Sequence, residues 1–240
     1  MKKVISFSGG LDSTVLCYWL VDKYGAANIL PITFDYGQKN SVETSKAKRT
    51  CWDLGLTYNL QDITFLGDIC KDVSSLSASS DIETPDADDV ADEVKPSTYI
   101  PYRNLIMLGI AMSYAESNKA DTVFISSQIR DIHWDSQQTF MEAMNRVSEL
   151  NTTYPVKVEA PFIALSKADE IREGMKLNVP FEQCWSCYNP QFIQVPRTAL
   201  ACGSCSACDN RRKAFEEVGI GDPLPTIPVS YTHLTLPTKA

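Results

Sequence analysis

A chain of 240 residues, 44% of them apolar, can bury a full core and is expected to form one α/β domain with a small appendage. Its net charge of −8 argues against a general nucleic-acid-binding surface, which needs basic residues to neutralise phosphates, and favours a small-molecule substrate. No apolar run is long enough to span a bilayer, and Met1-Lys2-Lys3 leads straight into a strand rather than a signal peptide, so no membrane association and a cytoplasmic location are expected.

Val4–Phe7 reads as a short buried strand, followed by the polar turn SFSGGLDST at 6–14 and a helix over Ser13–Tyr24 with Val15, Leu16, Trp19 and Leu20 on its apolar face. Ile29–Phe34 is a second buried strand, ended by Asp35-Tyr36-Gly37. A helix follows over Val42–Leu54, then a strand near Tyr58–Ile63. From Ser74 to Ser97 the pattern dissolves into serines, prolines and acids, with seven carboxylates between Asp81 and Glu93, which predicts a solvated surface loop. An apolar helix over Leu105–Ser117, a strand at Thr122–Ser127 and a helix over Asp135–Leu150 come next. Ser166–Lys176 is a helix opened by Ser166 with Asp169 three positions on, a variant of the capping box. Strands alternating with helices predict a Rossmann-like parallel sheet flanked by helices, with ligands at the carboxyl ends of the strands.

The turn after the first strand points to phosphate. It lacks the lysine of a Walker loop and the Gly-x-Gly-x-x-Gly spacing of a dinucleotide site. What it has is Ser-Gly-Gly-x-Asp-Ser between strand and helix. Paired glycines let the backbone wrap closely around an anion, while helix-start N–H groups and the Ser8, Ser13 and Thr14 hydroxyls donate to it. Such a cradle suits a pyrophosphate group, with Asp12 helping to hold the accompanying Mg²⁺.

Ser8-Gly9-Gly10-Leu11-Asp12-Ser13 resembles the signature of the N-type ATP pyrophosphatases, which split ATP between its α- and β-phosphates and adenylate a substrate oxygen. With FDYGQ at 34–38, STYIPYRN at 97–104, CWSCY at 184–188 and Cys202-x-x-Cys205-x-x-Cys208, the chain is similar to the 7-cyano-7-deazaguanine (preQ0) synthase, or QueC, family from about Lys3 to about Asp222. The resemblance implies an adenine nucleotide alpha hydrolase-like domain over 1–180 with a variable acidic loop at about 74–97, and a zinc-binding segment at 181–222. It implies a carbon–nitrogen ligase that uses ATP and ammonia to turn 7-carboxy-7-deazaguanine into its nitrile, by adenylating first the carboxylate and then the amide. Phe7, Ser8, Gly9, Gly10, Leu11, Asp12, Ser13, Thr14, Val15, Leu16 and Cys17 are then expected to line the nucleotide. Lys167 is expected to act on the phosphates, and Asp12, Ser13, Arg103 and Lys167 to carry the chemistry. Asp35, Tyr36, Gln38, Arg103, Asn104, Asp131 and Asp135 are expected to meet the base, with Arg103 as the guanidinium fork for its carboxylate.

The cysteines stand on their own. Cys202, Cys205 and Cys208 bring three thiols into one loop, and Cys187 completes a closed Cys₄ set for a structural Zn²⁺; an iron–sulfur cluster is the competing reading. Three departures from the family fall on the substrate side. The segment RDIHWDSQQTF is differently composed, Gln-Arg-His is Gln38-Lys39-Asn40, and the Cys187–Cys202 interval is longer. They allow an altered base or a reaction stopping at the amide. The alternatives are a tRNA thiolase or lysidine-type synthetase, which wants a basic surface, and a non-catalytic zinc module. A homodimer is permitted. The stretch from Val229 to Ala240 has no family counterpart and is expected to be a foreign or disordered extension.

Overall fold

The structure, a computed structural model, describes residues 1–84, 97–128, 133–194 and 197–227. Most of the acidic loop, Asp131 and the 229–240 tail lie outside these.

Five parallel strands make the main sheet: β1 (Lys2–Ser6), β2 (Ile29–Asp35), β3 (Leu60–Asp62), β4 (Ala120–Phe124) and β5 (Lys157–Glu159), in the order β3-β2-β1-β4-β5. Side chains alternate across a strand, so in β1 Val4 enters one apolar cluster and Ile5 the other, each without exposed surface. Burying such a side chain contributes about 2 kcal/mol. On the Val4 face lie the short α3 (Phe65–Ile69), α4 (Arg103–Ser117) and α5 (Gln138–Glu149), through Leu66, Leu108, Ala111, Phe140 and Met141. On the Ile5 face lie α1 (Leu11–Tyr24), α2 (Val42–Asp53), α6 (Lys167–Lys176) and α7 (Ser206–Val218), through Val15, Leu16, Ala47, Ile171 and Phe215. No helix among the described residues is long and apolar enough to cross a membrane.

The main expectations stand, with shifted ends. Helix α1 starts two residues early, because Gly10 is the extended N-cap. Helix α4 also starts early, which puts Arg103 and Asn104 in its first turn. The strand foreseen at Thr122–Ser127 ends at Phe124, leaving Ser126 and Ser127 beyond the sheet edge. Asp135 lies in a 3₁₀ turn, Trp134–Ser136, ahead of α5. Ser166 caps α6 with the full reciprocal box, accepting from the Asp169 N–H at 3.1 Å.

One expectation is corrected. The segment from Ser74 is not a solvated loop where it is described: Ser74, Ser75 and Ser77 have no exposed surface, and Leu76 is buried. Serine makes this possible by satisfying its own turn. Ser77 Oγ donates to the Gly67 carbonyl at 2.9 Å and accepts from the Ser79 N–H at 3.2 Å, while Leu76 O accepts from the Lys39 N–H.

The long Cys187–Cys202 interval is spent on an antiparallel hairpin, β6 (Gln191–Gln194) with β7 (Arg197–Leu200).

Candidate active site

The chain leaves β1 outward through β2 and β3, then returns to β1's other side with β4 and β5. The carboxyl ends of β1 and β4 therefore flank a topological switch point, where an open parallel sheet forms its ligand crevice. Three adjoining cavities occupy that crevice.

The 8–13 loop forms one wall. Gly9 has φ +86°, and a Cβ there would stand 2.4 Å from the Glu43 carbonyl oxygen, so only glycine lets α2 pack this close. Ser8 Oγ accepts from the Gly10 N–H at 3.1 Å and lies 3.0 Å from Ser13 Oγ. Lys167, at the start of α6, donates to both carboxylate oxygens of Asp12 at 2.6 and 2.7 Å. Burial works against the Asp12 charge, yet Lys167 holds it below the usual carboxylate range. Glu170 itself has no exposed surface, and neither carboxyl oxygen has a hydrogen-bond partner. Burial and the Asp12 charge push its carboxyl up, so the pair is one ionised and one protonated acid.

The first cavity, about 250 Å³, opens over the ends of β1, β2 and β4, and Tyr36, Glu43, Leu76, Arg103, Ser126 and Tyr188 are among its walls. Arg103 donates to the Tyr36 hydroxyl at 3.4 Å, with its guanidinium 5.7 Å from that ring's centre. The second, about 200 Å³, runs along the loop past Asp12 and Lys167. Ser8, Ser13, Glu43, Ser126 and Tyr188 border both. The third, about 650 Å³, extends from Asp12 and Lys167 to Asn210 and Lys213 of α7. Burial, with Asp12 reinforcing it and Arg103 opposing it, pushes the Glu43 carboxyl up to about 8.

The cysteine segment braces the loop. Its Trp185 N–H donates to the Gly9 carbonyl at 3.1 Å. Buried Arg211 of α7 holds the carbonyls of Phe181 and Cys184 at 2.8 and 2.9 Å and pairs with Asp222. Cys187, Cys202, Cys205 and Cys208 place their sulfurs within 4.8 Å of one another. The Cys187–Cys202 and Cys202–Cys208 separations of 3.5 and 3.9 Å match the edge of about 3.8 Å that a tetrahedron with 2.3 Å metal–sulfur bonds requires. The set can hold a metal ion. Cys184 is not part of it, being buried in the core.

The expected site residues divide. Ser8, Gly10, Leu11, Asp12, Ser13, Phe7, Tyr36, Arg103 and Lys167 border the crevice. Val15, Leu16 and Cys17 are corrected to core residues: they have no exposed surface and belong to the Ile5-side cluster. The Thr14 hydroxyl is turned back onto the Gly10 carbonyl at 2.7 Å. Asp35 closes its own turn, accepting from the Gly37 N–H at 3.1 Å. Gln38 spends both ends of its amide on Phe34 and Tyr36 backbone, so it shapes the wall rather than reading a base. Asn104 and Asp135 hold each other. The Asn104 N–H donates to Asp135 Oδ2 at 3.1 Å, and the Asn104 amide donates to Asp135 O and Ser136 Oγ. The open N–H groups of a helix start draw in a buried carboxylate, and Asp135 supplies it. Trp134 packs edge-on against Tyr102 and Phe140. Asp131 lies outside the described residues.

Sequence reasoning missed Glu43, Asn40, Ser126, Tyr188 and Glu170. Tyr188 had a signal, following Cys187 at the end of CWSCY. Glu43 and Glu170 looked like ordinary first-turn helix acids, and only the packing of α2 and α6 on the loop distinguishes them.

The family model described as queuosine biosynthesis protein QueC matches residues 2–219. A 7-cyano-7-deazaguanine synthase from Caldicellulosiruptor saccharolyticus is 37% identical over 226 residues, covering 93% of this chain and 95% of that protein. One from Methanoculleus marisnigri is 36% identical, covering 93% and 98%. Among solved structures, the NH3-dependent NAD synthetase from Campylobacter jejuni is a distant likeness, with 17% identity, a TM-score of 0.45 and coverage of 75% and 65%. On the family match and the near-complete alignment with these relatives, the chain belongs to the QueC family.

Proposed function

We propose that the protein is an ATP-dependent carbon–nitrogen ligase that converts 7-carboxy-7-deazaguanine and ammonia to 7-cyano-7-deazaguanine. The observation that carries this reading is the shared wall. A base-sized cavity holding Arg103 meets a phosphate-type loop at Ser8 and Ser13, where an acid must stand to be adenylated, and relatives across nearly the whole chain bear that enzyme's name.

In this reading the flat base lies in the first cavity between Tyr36 and Tyr188, whose rings offer apolar faces. The Arg103 fork aligns the carboxylate. ATP occupies the second and third cavities as its magnesium complex, with the 8–13 loop on its phosphates. Lys167 exchanges Asp12 for the negative charge that builds as pyrophosphate leaves. A carboxylate oxygen bonds to the α-phosphorus and pyrophosphate departs. Ammonia then displaces AMP to give the amide. A second ATP adenylates the amide oxygen, and loss of AMP leaves the nitrile. The four cysteines suit Zn²⁺: their sulfurs stand at single-ion separations, closer than a cube-shaped iron–sulfur cluster needs, and no coordination position is left for chemistry. The partners are small molecules, which the acidic charge balance favours over nucleic acid.

Mass spectrometry of a reaction with 7-carboxy-7-deazaguanine, ATP and ammonium tests the reading. The nitrile, AMP and pyrophosphate are expected; ADP and orthophosphate as the nucleotide products would overturn adenylation.

A further inference from the structure

The proposed reaction consumes ammonia and strips all three protons from its nitrogen. When ammonia attacks the acyl-adenylate, the new C–N bond forms, the C–O bond to AMP breaks with its electron pair, and the nitrogen must shed a proton to become a neutral amide. In the second round the amide sheds one nitrogen proton as its oxygen bonds to the α-phosphorus and pyrophosphate leaves, and the adenylated imidate sheds the last as the next C–O bond breaks with its electron pair and the nitrile forms. A site for this reaction therefore needs a place for ammonia and a proton acceptor, both beside the carbon that lies between base and phosphate.

The residues bordering both the base-side and the loop-side cavities are Ser8, Ser13, Glu43, Ser126 and Tyr188. Glu43 is the only carboxylate among them, and among the described residues the only one on the wall of the first cavity. Its position is fixed from two sides. The close packing of α2 on Gly9 places its backbone, and its Oε1 lies 3.6 Å from where a Cβ on Gly10 would stand. One turn before it, Asn40 begins the turn that opens α2, with its carbonyl accepting from the Glu43 N–H at 3.0 Å. The Asn40 side chain is 3% exposed, lines the first cavity, and leaves its Oδ1 without a hydrogen-bond partner. Ser126 Oγ, on both cavities, is also unpartnered. A buried acceptor without a donor is costly unless a ligand supplies one. Ammonia is the reactant that brings only donors and a single lone pair.

We propose that Glu43 and the unpartnered Oδ1 of Asn40 form the ammonia subsite, and that Glu43 is the catalytic base that takes each proton nitrogen releases. Asn40 accepts one N–H and Glu43 a second, which leaves the nitrogen lone pair directed at the carbon held between Arg103 and the loop. Each proton passes from nitrogen to the Glu43 carboxylate and then to water. The proton affinity of Glu43 is suited to this, since burial holds its carboxyl at about 8, near working pH.

The proposal rests on the adenylation reading, and the test separates the two. Substrate-dependent exchange of labelled pyrophosphate into ATP reports adenylation alone; amide and nitrile formation report the nitrogen steps. In Glu43→Gln, nitrile formation should fall by about 100-fold or more, while exchange falls far less. Hydroxylamine, a stronger nucleophile that sheds its proton readily, should still trap the acyl-adenylate as a hydroxamate. Asn40→Ala should raise the KM for ammonium by about tenfold and leave the KM for ATP in place. Equal losses of exchange and nitrile in Glu43→Gln, or an unchanged ammonium KM in Asn40→Ala, would overturn the subsite. Absence of exchange in the unsubstituted protein would instead remove the adenylation reading.

Discussion

The Trp185 N–H donates to the Gly9 carbonyl oxygen at 3.1 Å, a backbone hydrogen bond from the cysteine segment to the 8–13 loop. Trp185 is 1% exposed, and its indole N–H bonds the carbonyl of Cys187, the first thiol of the cluster, at 2.8 Å. The cysteine cluster and the 8–13 loop are thus two hydrogen bonds apart.

Removing the metal should therefore weaken nucleotide binding as well as the fold. Purified protein should carry one zinc per chain, and Cys205→Ser or Cys208→Ser should lose it and melt at lower temperature, since a structural site contributes folding free energy directly. ATP affinity, measured by calorimetry below the melting point, should fall in the same variants. Full zinc content in both would take these cysteines out of the ligand set.

The Lys167–Asp12 pair predicts unequal effects on its two members. Lys167→Ala removes the charge that in the proposed reaction meets departing pyrophosphate, so AMP formation should drop by about 100-fold or more, and Asp12 loses the partner that keeps its carboxyl low. Lys167→Arg should restore part of the rate. Asp12→Asn leaves Lys167 free to meet phosphate, and its defect should be the smaller. Rates of AMP release by all three variants check the order.

Glu170 gives a pH signature. Its carboxyl is raised from the ordinary value to about 9 in the folded chain, chiefly by burial and then by the Asp12 charge. Between those two values the unfolded state holds fewer protons than the folded state, so this group's contribution to stability falls as pH rises through that window. Glu170→Gln keeps the neutral shape and should flatten the decline. Urea unfolding at pH 6 and pH 9 measures it, and an identical slope in both proteins would remove Glu170 from the account.

Asp135 should behave as a helix anchor. Asp135→Asn leaves a poorer acceptor at the first turn of α4 and should cost about 1 kcal/mol of stability, with the KM for ATP unchanged. Because Arg103 rides on that turn, the KM for the base substrate should rise modestly. A variant with native stability would show that the Asn104 contact does not hold the helix.

The order of elements, the glycine turn between β1 and α1 and the cysteine cluster were legible because each depends on short-range sequence: apolar periodicity, paired glycines, fixed thiol spacing. The capping box at Ser166 was legible for the same reason. Side-chain roles at the sheet edge were not. Asp35, Gln38, Asn104 and Asp135 are polar residues at strand and helix ends, and a sequence does not show whether such a group turns to a ligand or to a backbone a few ångströms away; here all four turn to backbone. Burial of Ser74–Ser77 was hidden because serine reads as solvent-seeking when its local turn bonds cannot be seen. Glu43 was hidden because its significance comes from α2 crossing Gly9, a contact between segments more than thirty residues apart.

The wall common to the first two cavities bears on how the proposed reaction of two ATP rounds is timed. In the proposed reaction, spent nucleotide leaves through the wide third cavity past Lys213, which shares Leu76, Arg103, Ser126 and Tyr188 with the first but does not reach its Tyr36 and Glu43 side. The half-finished amide can keep its seat while one AMP is replaced by the next ATP. Processivity then follows from the layout of the compartments rather than from tight affinity for the intermediate. With ATP limiting, product should appear as nitrile beside untouched acid, with little free amide between them.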